Sequence, residues 1–306
     1  MKFGAIIVTY NRLSLLKECL ECVFSQTVPF HRVLVVDNHS TDGTGEYLDS
    51  LETPALSVLH LPENIGGAGG FSKGLEVLSA GDCDWVLIID DDAMIAPTYM
   101  EEIEKAIGSH SYLAYSGTVR TAGAIDTSHR RILKNRCLMT YAPMPEETYR
   151  DETFLYDVST FCGLVLNCGL IREIGLPRAD YFIWFDDTEY CLRFRKRSRI
   201  LNVCRAELNH KTTPPSKAPV TCWKNFYGFR NAIDIGRTYS SAPAVYMTYI
   251  RLNHWAHIVI DSVLLLTGSR RAERRYRRRI YLDVLGETGK PLGGMDRRYP
   301  PGSGFS

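Results

Sequence analysis

The chain carries three consecutive carboxylates, Asp90-Asp91-Asp92, at the end of the apolar run Trp85-Val86-Leu87-Ile88-Ile89. That run is short and β-branched, so it reads as a buried strand rather than a helix. Open α/β sheets place their ligand sites just beyond the carboxyl ends of such strands. Three adjacent acids there repel one another and lose solvation, which calls for a compensating cation. A divalent metal bridging to a phosphate meets that need, because Mg²⁺ and Mn²⁺ favour carboxylate oxygens together with ligand phosphates. The same triplet also reads as a polar turn capping a following helix.

Other groups share the edge. Thr9-Tyr10-Asn11-Arg12 and Asp37-Asn38-His39-Ser40 end the first and second strands. Asp37 is suited to accept from the imide N–H of a uracil, and Arg12 to approach a base or phosphate. The alternative for Asp37 is a cap on its own turn. Asn64 to Gly74 is a glycine-rich entry into a helix, where close backbone approach and the helix N-terminus favour an anion. It lacks the glycine spacing of a P-loop or dinucleotide fingerprint. Asp186-Asp187-Thr188-Glu189 follows the aromatic approach Tyr181-Phe182-Ile183-Trp184-Phe185. A carboxylate here reads as a general base taking a proton from a substrate hydroxyl, with aromatic faces for a sugar, or as a helix cap. His210 can supply the further ligand that a metal site on Asp90–Asp92 needs, although a lone histidine is also a common structural residue. The other seven histidines have no comparable context.

These groups require a frame. Phe3–Val8, Arg32–Val36, Leu56–Leu61 and Trp85–Ile89 read as strands, and Leu13–Ser25, Thr41–Leu51 and Gly69–Ser79 as helices. Such alternation predicts a doubly wound, mostly parallel α/β sheet. Ser14, Ser40, Asp42 and Ser72 are candidate caps, and Pro97 suits the first turn of a helix through Gly108. From Tyr112 to Leu155 glycines and prolines interrupt the pattern, which predicts irregular, flexible structure over a site. Thr160–Leu166 reads as a strand leading into a helix, and Asp186–Arg197 as a helix with acids first and bases last.

The ordered set Val8–Arg12, Val36–Thr44, Asn64–Gly70, Asp90–Asp92 and Phe185–Glu189 resembles family 2 glycosyltransferases, inverting enzymes of the GT-A fold. The resemblance covers roughly residues 3–235. Within the family, the triple aspartate and Trp184-Phe185-Asp186-Asp187 look most like bacterial galactofuranosyltransferases that use UDP-galactofuranose; related rhamnosyltransferases more often carry Gln between the outer aspartates. The resemblance implies that Thr9, Tyr10 and Arg12 contact the uridine, Asp37 the uracil and Asn64 the nucleotide sugar. It places Asp90 at the ribose or metal, Asp92 and His210 on Mn²⁺ or Mg²⁺, and Asp187 as base with Asp186 beside it. Gly67 and Asp91 complete the expected donor site, and Trp184 and Glu189 are expected to meet the acceptor. Tyr227-Gly228-Phe229-Arg230-Asn231 resembles a segment of the same subgroup, with Arg230 reaching a phosphate or lying on a helix surface. The implied acceptor is a glycan, lipid-linked, in bacterial surface polysaccharide synthesis such as that of O-antigen. A dTDP-rhamnose transferase is the enzymic alternative, and a non-catalytic glycan-binding protein the alternative of another class.

With 306 residues, 45% hydrophobic, and a formal net charge of +1, the chain supports a sizeable core and argues against nucleic acid as a partner. Nine scattered cysteines without framework spacing, Cys19 and Cys22 included, suit a reducing cytosol. The N-terminal apolar run is too short for a signal peptide. The composition changes beyond Asn209, and the extent of the resemblance implies a catalytic part, 1–235, followed by a helical, basic extension, 236–306. In the latter, an aromatic and aliphatic stretch, Pro243–Leu266, precedes seven arginines and one glutamate in Arg270–Arg279. That pairing suits a peripheral helix on an anionic membrane, or a helical subdomain. A hinge is expected at Thr212–Pro219, and an extended or disordered tail from Gly286.

Overall fold

The structure, a computed structural model, describes residues 1–212, 221–267 and 270–303. The hinge expected at Thr212–Pro219 lies outside these from residue 213 onward, as do residues 304–306. Apolar β-branched runs form β1 (Phe3–Thr9), β2 (Arg32–Asp37), β3 (Leu56–His60) and β4 (Trp85–Asp90), alternating with α1 (Leu13–Phe24), α2 (Thr44–Asp49) and α3 (Gly66–Ala80). The four strands are parallel in the order β4-β1-β2-β3. Register pairs Thr9 with Asp37, Asp37 with His60, and Val8 with Asp90, so the strand tips share one edge.

The chain continues through β5 (Ala93–Ile95), α4 (Tyr99–Ser109), β6 (Ala114–Thr121), β7 (Ala124–Ile125), β8 (Arg130–Asn135) and β9 (Thr140–Pro143). It then forms β10 (Thr153–Tyr156), β11 (Val158–Ser159), β12 (Leu164–Asn167), α5 (Cys168–Ile174), α6 (Asp186–Phe194) and β13 (Ile200–His210). β12 runs antiparallel between β4 and β6, β13 lies parallel to β6, and β8, β9 and β11 make a separate three-stranded sheet. The stretch expected to be irregular therefore contributes an eight-residue strand, β6, to the main sheet. Gly117 explains the misreading. A Cβ there would lie 1.9 Å from the Ala206 carbonyl oxygen, so the glycine that breaks the pattern is what lets β6 approach β13 at its register slip.

Helix starts also differ from expectation. α3 begins at Gly66 rather than Gly69, and Ser14 and Ser72 lie inside helices instead of capping them. Asp42 does work at a helix start: its carboxylate accepts from the Leu13 N–H at 3.1 Å and the Thr44 N–H at 3.2 Å. All nine cysteines are free thiols.

The residues fall into two compact units. One comprises Met1–Ile132, Ala142–Ala179 and Asp187–Pro214, and the other Leu133–Tyr141, Asp180–Asp186 and Pro215–Ser306. The first has its core between the sheet and α1 and α4, around Ile7, Leu20, Leu87 and Tyr99. The second contains α7 (Lys224–Tyr239), α8 (Pro243–Thr267) and α9 (Arg271–Glu287), packed around Phe182, Phe226, Tyr227, Ile280 and Tyr299. The expected boundary at 235 falls within α7. The tail is not extended, because Tyr299 is buried. Its ring stacks on Phe226 with centroids 4.4 Å apart, and its hydroxyl donates to Asp283 at 2.7 Å. Among the described residues, no helix is long and apolar enough to cross a membrane.

Candidate active site

The β4 tip turns its acids toward β1. Thr9 Oγ1 donates to Asp91 Oδ2 at 2.8 Å, and Arg12 Nη1 donates to Asp91 Oδ1 at 3.1 Å and Asp92 Oδ2 at 2.8 Å. Burial pushes the Asp91 carboxyl up to about 6 against the pull of Arg12. Asp90 is also raised, by burial and then by Asp92. Asp92 goes the other way: burial is outweighed by His210 and Arg12, which hold it below the ordinary carboxylate range. One guanidinium thus serves two of the three acids and leaves Asp90 strained toward protonation.

The counterpart comes from β13. Its antiparallel pairing with β5 sets His210 opposite Ala93, and the Lys211 N–H donates to the Asp92 carbonyl at 2.8 Å. His210 Nε2 lies 3.1 Å from Asp92 Oδ1, which raises the imidazole pKa despite burial. Asp92 Oδ1 and His210 Nδ1 nevertheless lack aligned hydrogen bonds. Cys162 Sγ joins the group, since ligand atoms of Asp90, Cys162 and His210 all lie within 4.8 Å of one another. Two carboxylates, one with a buried oxygen that lacks an aligned hydrogen bond, and an imidazole fit a divalent cation. Nothing around Cys162 in the sequence signals this role. Fully buried Arg130 fixes its backbone, donating to the Cys162 carbonyl at 3.0 Å and the Gly117 carbonyl at 2.8 Å. His129, edge-on to His210 at 5.1 Å, is likewise unmarked in the sequence.

On the β2 side, Asp37 accepts from the Ser40 N–H at 2.9 Å and contacts His60 Nδ1 at 3.0 Å. His60 is raised by that bond first, and so has a context that its sequence neighbours do not show. Asn38 Oδ1 accepts from the Ile65 N–H, and Asn64 Oδ1 from Asn38 Nδ2 and the Gly66 N–H, which fixes the entry to α3. The glycines divide by role. A Cβ at Gly70 or Gly74 would meet Val8 or Ile6 at 2.6 Å, so those two seat the helix on β1; one at Gly67 would meet open space. Tyr10 is exposed at the same loop.

In the second unit, Phe182, Trp184 and Phe185 hold φ values of +65°, +64° and +70°. Left-handed backbone at bulky residues is strained and persists only where surroundings dictate it. Here Asn231 Nδ2 donates to the carbonyls of Tyr181, Ile183 and Trp184 at 3.0, 3.1 and 2.8 Å. Arg230 donates to those of Asp180 and Tyr181 at 2.9 and 3.0 Å. Arg230 is therefore a buried backbone clamp, neither a surface residue nor a phosphate ligand. A Cβ on Gly228 would sit 2.9 Å from the Trp184 ring, which stays 41% exposed. Asp186 is buried at the end of this segment.

In the first unit, Asp187 Oδ1 accepts from the N–H and, at 2.9 Å, the hydroxyl of Thr188, to which Arg131 donates at 3.0 Å. Asp187 keeps its second oxygen out of these bonds and is only partly buried. Glu189 corrects the expectation of an acceptor contact: it is 3% exposed, and its carboxylate is held by Arg193 of the same helix turn.

Residues 5–171, more than half of the chain, match the model of "Glycosyl transferase family 2". The chain belongs to that family. It is 25% identical over 207 residues to galactofuranosyltransferase GlfT1 of Mycolicibacterium smegmatis, covering 65% of this chain and 67% of the relative. With GlfT1 of Mycobacterium tuberculosis H37Rv it shares 26% over 248 residues, 74% of this chain and 79% of the relative. Among solved structures, GalNAc-T7 with UDP, GalNAc and Mn²⁺ superposes with a TM-score of 0.65 at 13% identity, over 95% of this chain and 58% of that one. TarS 1–349 of S. aureus with UDP gives 0.57 at 16%, over 97% and 100%. The protein is a glycosyltransferase of GT-A fold, α/β with a helical C-terminal region.

Proposed function

We propose that this glycosyltransferase is inverting and metal-dependent, and moves galactofuranose from UDP-galactofuranose onto a lipid-linked glycan in bacterial surface polysaccharide synthesis. The observation that carries the reading is the meeting of Asp90, Asp92 and His210 at the strand edge that also presents Thr9 and Asp37. The relatives named as galactofuranosyltransferases support the sugar, and the neighbours solved with UDP support the nucleotide. The catalytic work falls to residues 1–235, at the cytoplasmic face of the membrane, with 236–306 as a basic helical extension.

In this reading Asp37 accepts from the uracil imide, while Thr9, Tyr10 and Arg12 border the uridine and diphosphate. Arg12 then exchanges its carboxylate partners for phosphate, a bidentate contact suited to a guanidinium. Asn64 and Gly67 meet the donor at the start of α3, where open space beside Gly67 and the helix N-terminus suit an anion. Asp90, Asp92 and His210 would hold the metal, Mn²⁺ or Mg²⁺, and Asp91 anchors Thr9. A bound divalent ion would neutralise charge developing on the departing diphosphate. Asp187 takes the proton of the acceptor hydroxyl as that oxygen bonds to the anomeric carbon, opposite the leaving UDP. Asp186 positions the turn and Trp184 offers a face to the acceptor sugar.

A donor panel tests the reading. Purified protein with Mn²⁺ should release nucleotide from UDP-galactofuranose faster than from UDP-galactopyranose or dTDP-rhamnose. Preference for dTDP-rhamnose would make it a rhamnosyltransferase. Metal-dependent UDP binding with no turnover of any donor would favour a non-catalytic glycan-binding role.

A further inference from the structure

Helix α8 packs one face inward and presents an apolar face outward. Its inner face buries Tyr246, Ile258 and His254, and Asp261 there pairs with Arg274 and Arg277 of α9. Its outer face presents Tyr249, Leu252, Trp255, Val259, Val263 and Leu266, all exposed, with Leu252 at 65% and Leu266 at 79%. At 3.6 residues per turn these project within an arc of about 120° along about 26 Å of helix. An apolar stripe of that length on a water-exposed helix marks an interaction surface.

Charge selects the occupant. From Pro243 to Glu287 the chain has eight arginines and four acids. The buried Asp261 takes up two of those arginines, while Arg251 at the stripe's margin and Arg271 and Arg275 just beyond its end are exposed. A second copy docked through this face would bring its own arginine excess with it. An anionic bilayer offers the opposite charge and an apolar layer beneath it, and Trp255 and Tyr249 are residue types that favour that boundary.

We propose that the outer stripe of α8 seats in the headgroup–acyl boundary of an anionic membrane, with Arg251, Arg271 and Arg275 on lipid phosphates. The docking stands on α8 and α9 alone; that it delivers a lipid-linked acceptor rests on the function proposed above.

The test is co-sedimentation of the full chain with vesicles of phosphatidylcholine, with and without phosphatidylglycerol. The intact protein should bind the anionic vesicles and lose binding as salt rises. The double variant Leu252→Glu, Val259→Glu should partition about tenfold less or lower, since two apolar anchors are removed. Its circular dichroism and UDP affinity should stay unchanged, because both side chains are exposed. Arg271→Glu with Arg275→Glu should weaken binding and flatten its salt dependence. Intact protein that ignores both vesicles, or a double variant that binds as well as the parent, overturns the proposal. So does a dimer in sedimentation velocity that the double variant dissolves, which would assign the stripe to a second copy. Vesicle binding without turnover of any donor would instead count against the sugar-transfer reading and leave the docking surface standing.

Discussion

The side-chain amide of Asn231 on α7 donates to the carbonyl of Trp184 at 2.8 Å, and Trp184 sits in left-handed backbone with φ of +64°. A helix side chain thus holds a strained aromatic turn two residues ahead of Asp186. Asn231→Asp keeps the oxygen that accepts from Arg230 but loses the donors to three carbonyls. Leaving buried carbonyls unsatisfied costs about 1–3 kcal/mol, so urea unfolding should shift to lower midpoints by that amount. UDP affinity in isothermal titration should be unaffected. An unchanged midpoint would show that the turn holds itself.

Metal binding should depend on groups far apart in sequence. Asp92→Ala and His210→Ala should each weaken Mn²⁺ binding by about tenfold or more, since each removes a ligand from a small set. Their UDP affinity should fall only when metal is present. Full Mn²⁺ affinity in His210→Ala, read by electron paramagnetic resonance of free Mn²⁺, would remove His210 from the site.

Cys162 adds a soft donor to hard ones. Burial pushes its thiol well above the ordinary range, so a hard ion such as Mn²⁺ gains little from displacing that proton. Cys162→Ser should therefore leave Mn²⁺ affinity close to the parent's and weaken Cd²⁺ binding by about tenfold or more. Equal loss for both ions would place the sulfur in the working coordination shell of Mn²⁺ as well.

His254 gives a pH dependence of stability. Burial, and then His257, lower its pKa from the ordinary 6.5 to about 4. A depressed histidine contributes stability fully above the unfolded value and loses it as pH falls through 6.5 toward 4. At pH 5 the loss is about 2 kcal/mol relative to pH 7.5. His254→Phe removes the titration, so the parent-minus-variant difference in urea unfolding should shrink toward acid pH by that amount. A difference that is constant from pH 7.5 to 5 would contradict the buried, neutral imidazole.

Much of the catalytic frame was legible because periodicity and site coincide. β1, β2 and β4 are apolar runs that end in Thr9, Asp37 and Asp90, so reading the strands also places the tips. β6 was hidden because Gly117 serves close strand approach, and β5 because three residues carry no period. Cys162 and His60 are hidden for a different reason: His60 meets Asp37 through the register of β2 and β3, Cys162 meets Asp90 and His210 from the turn before β12, and nothing near them in sequence records it. Arg230 reads as a surface cation by type, yet it is spent on carbonyls of a turn some fifty residues earlier. The tail reads as loose from its glycines, whereas Tyr299 alone gives it a buried anchor.

The most direct measurement of the central claim is UDP release from UDP-galactofuranose by Asp187→Asn beside Asp186→Asn, with UDP affinity measured in parallel. Losing a positioned base should lower the rate of Asp187→Asn by about 10²–10⁴-fold, with UDP and Mn²⁺ affinity unchanged. Asp186→Asn should be milder. Normal turnover in Asp187→Asn, or abolition by Asp186→Asn alone, would contradict Asp187 as the base of a single displacement.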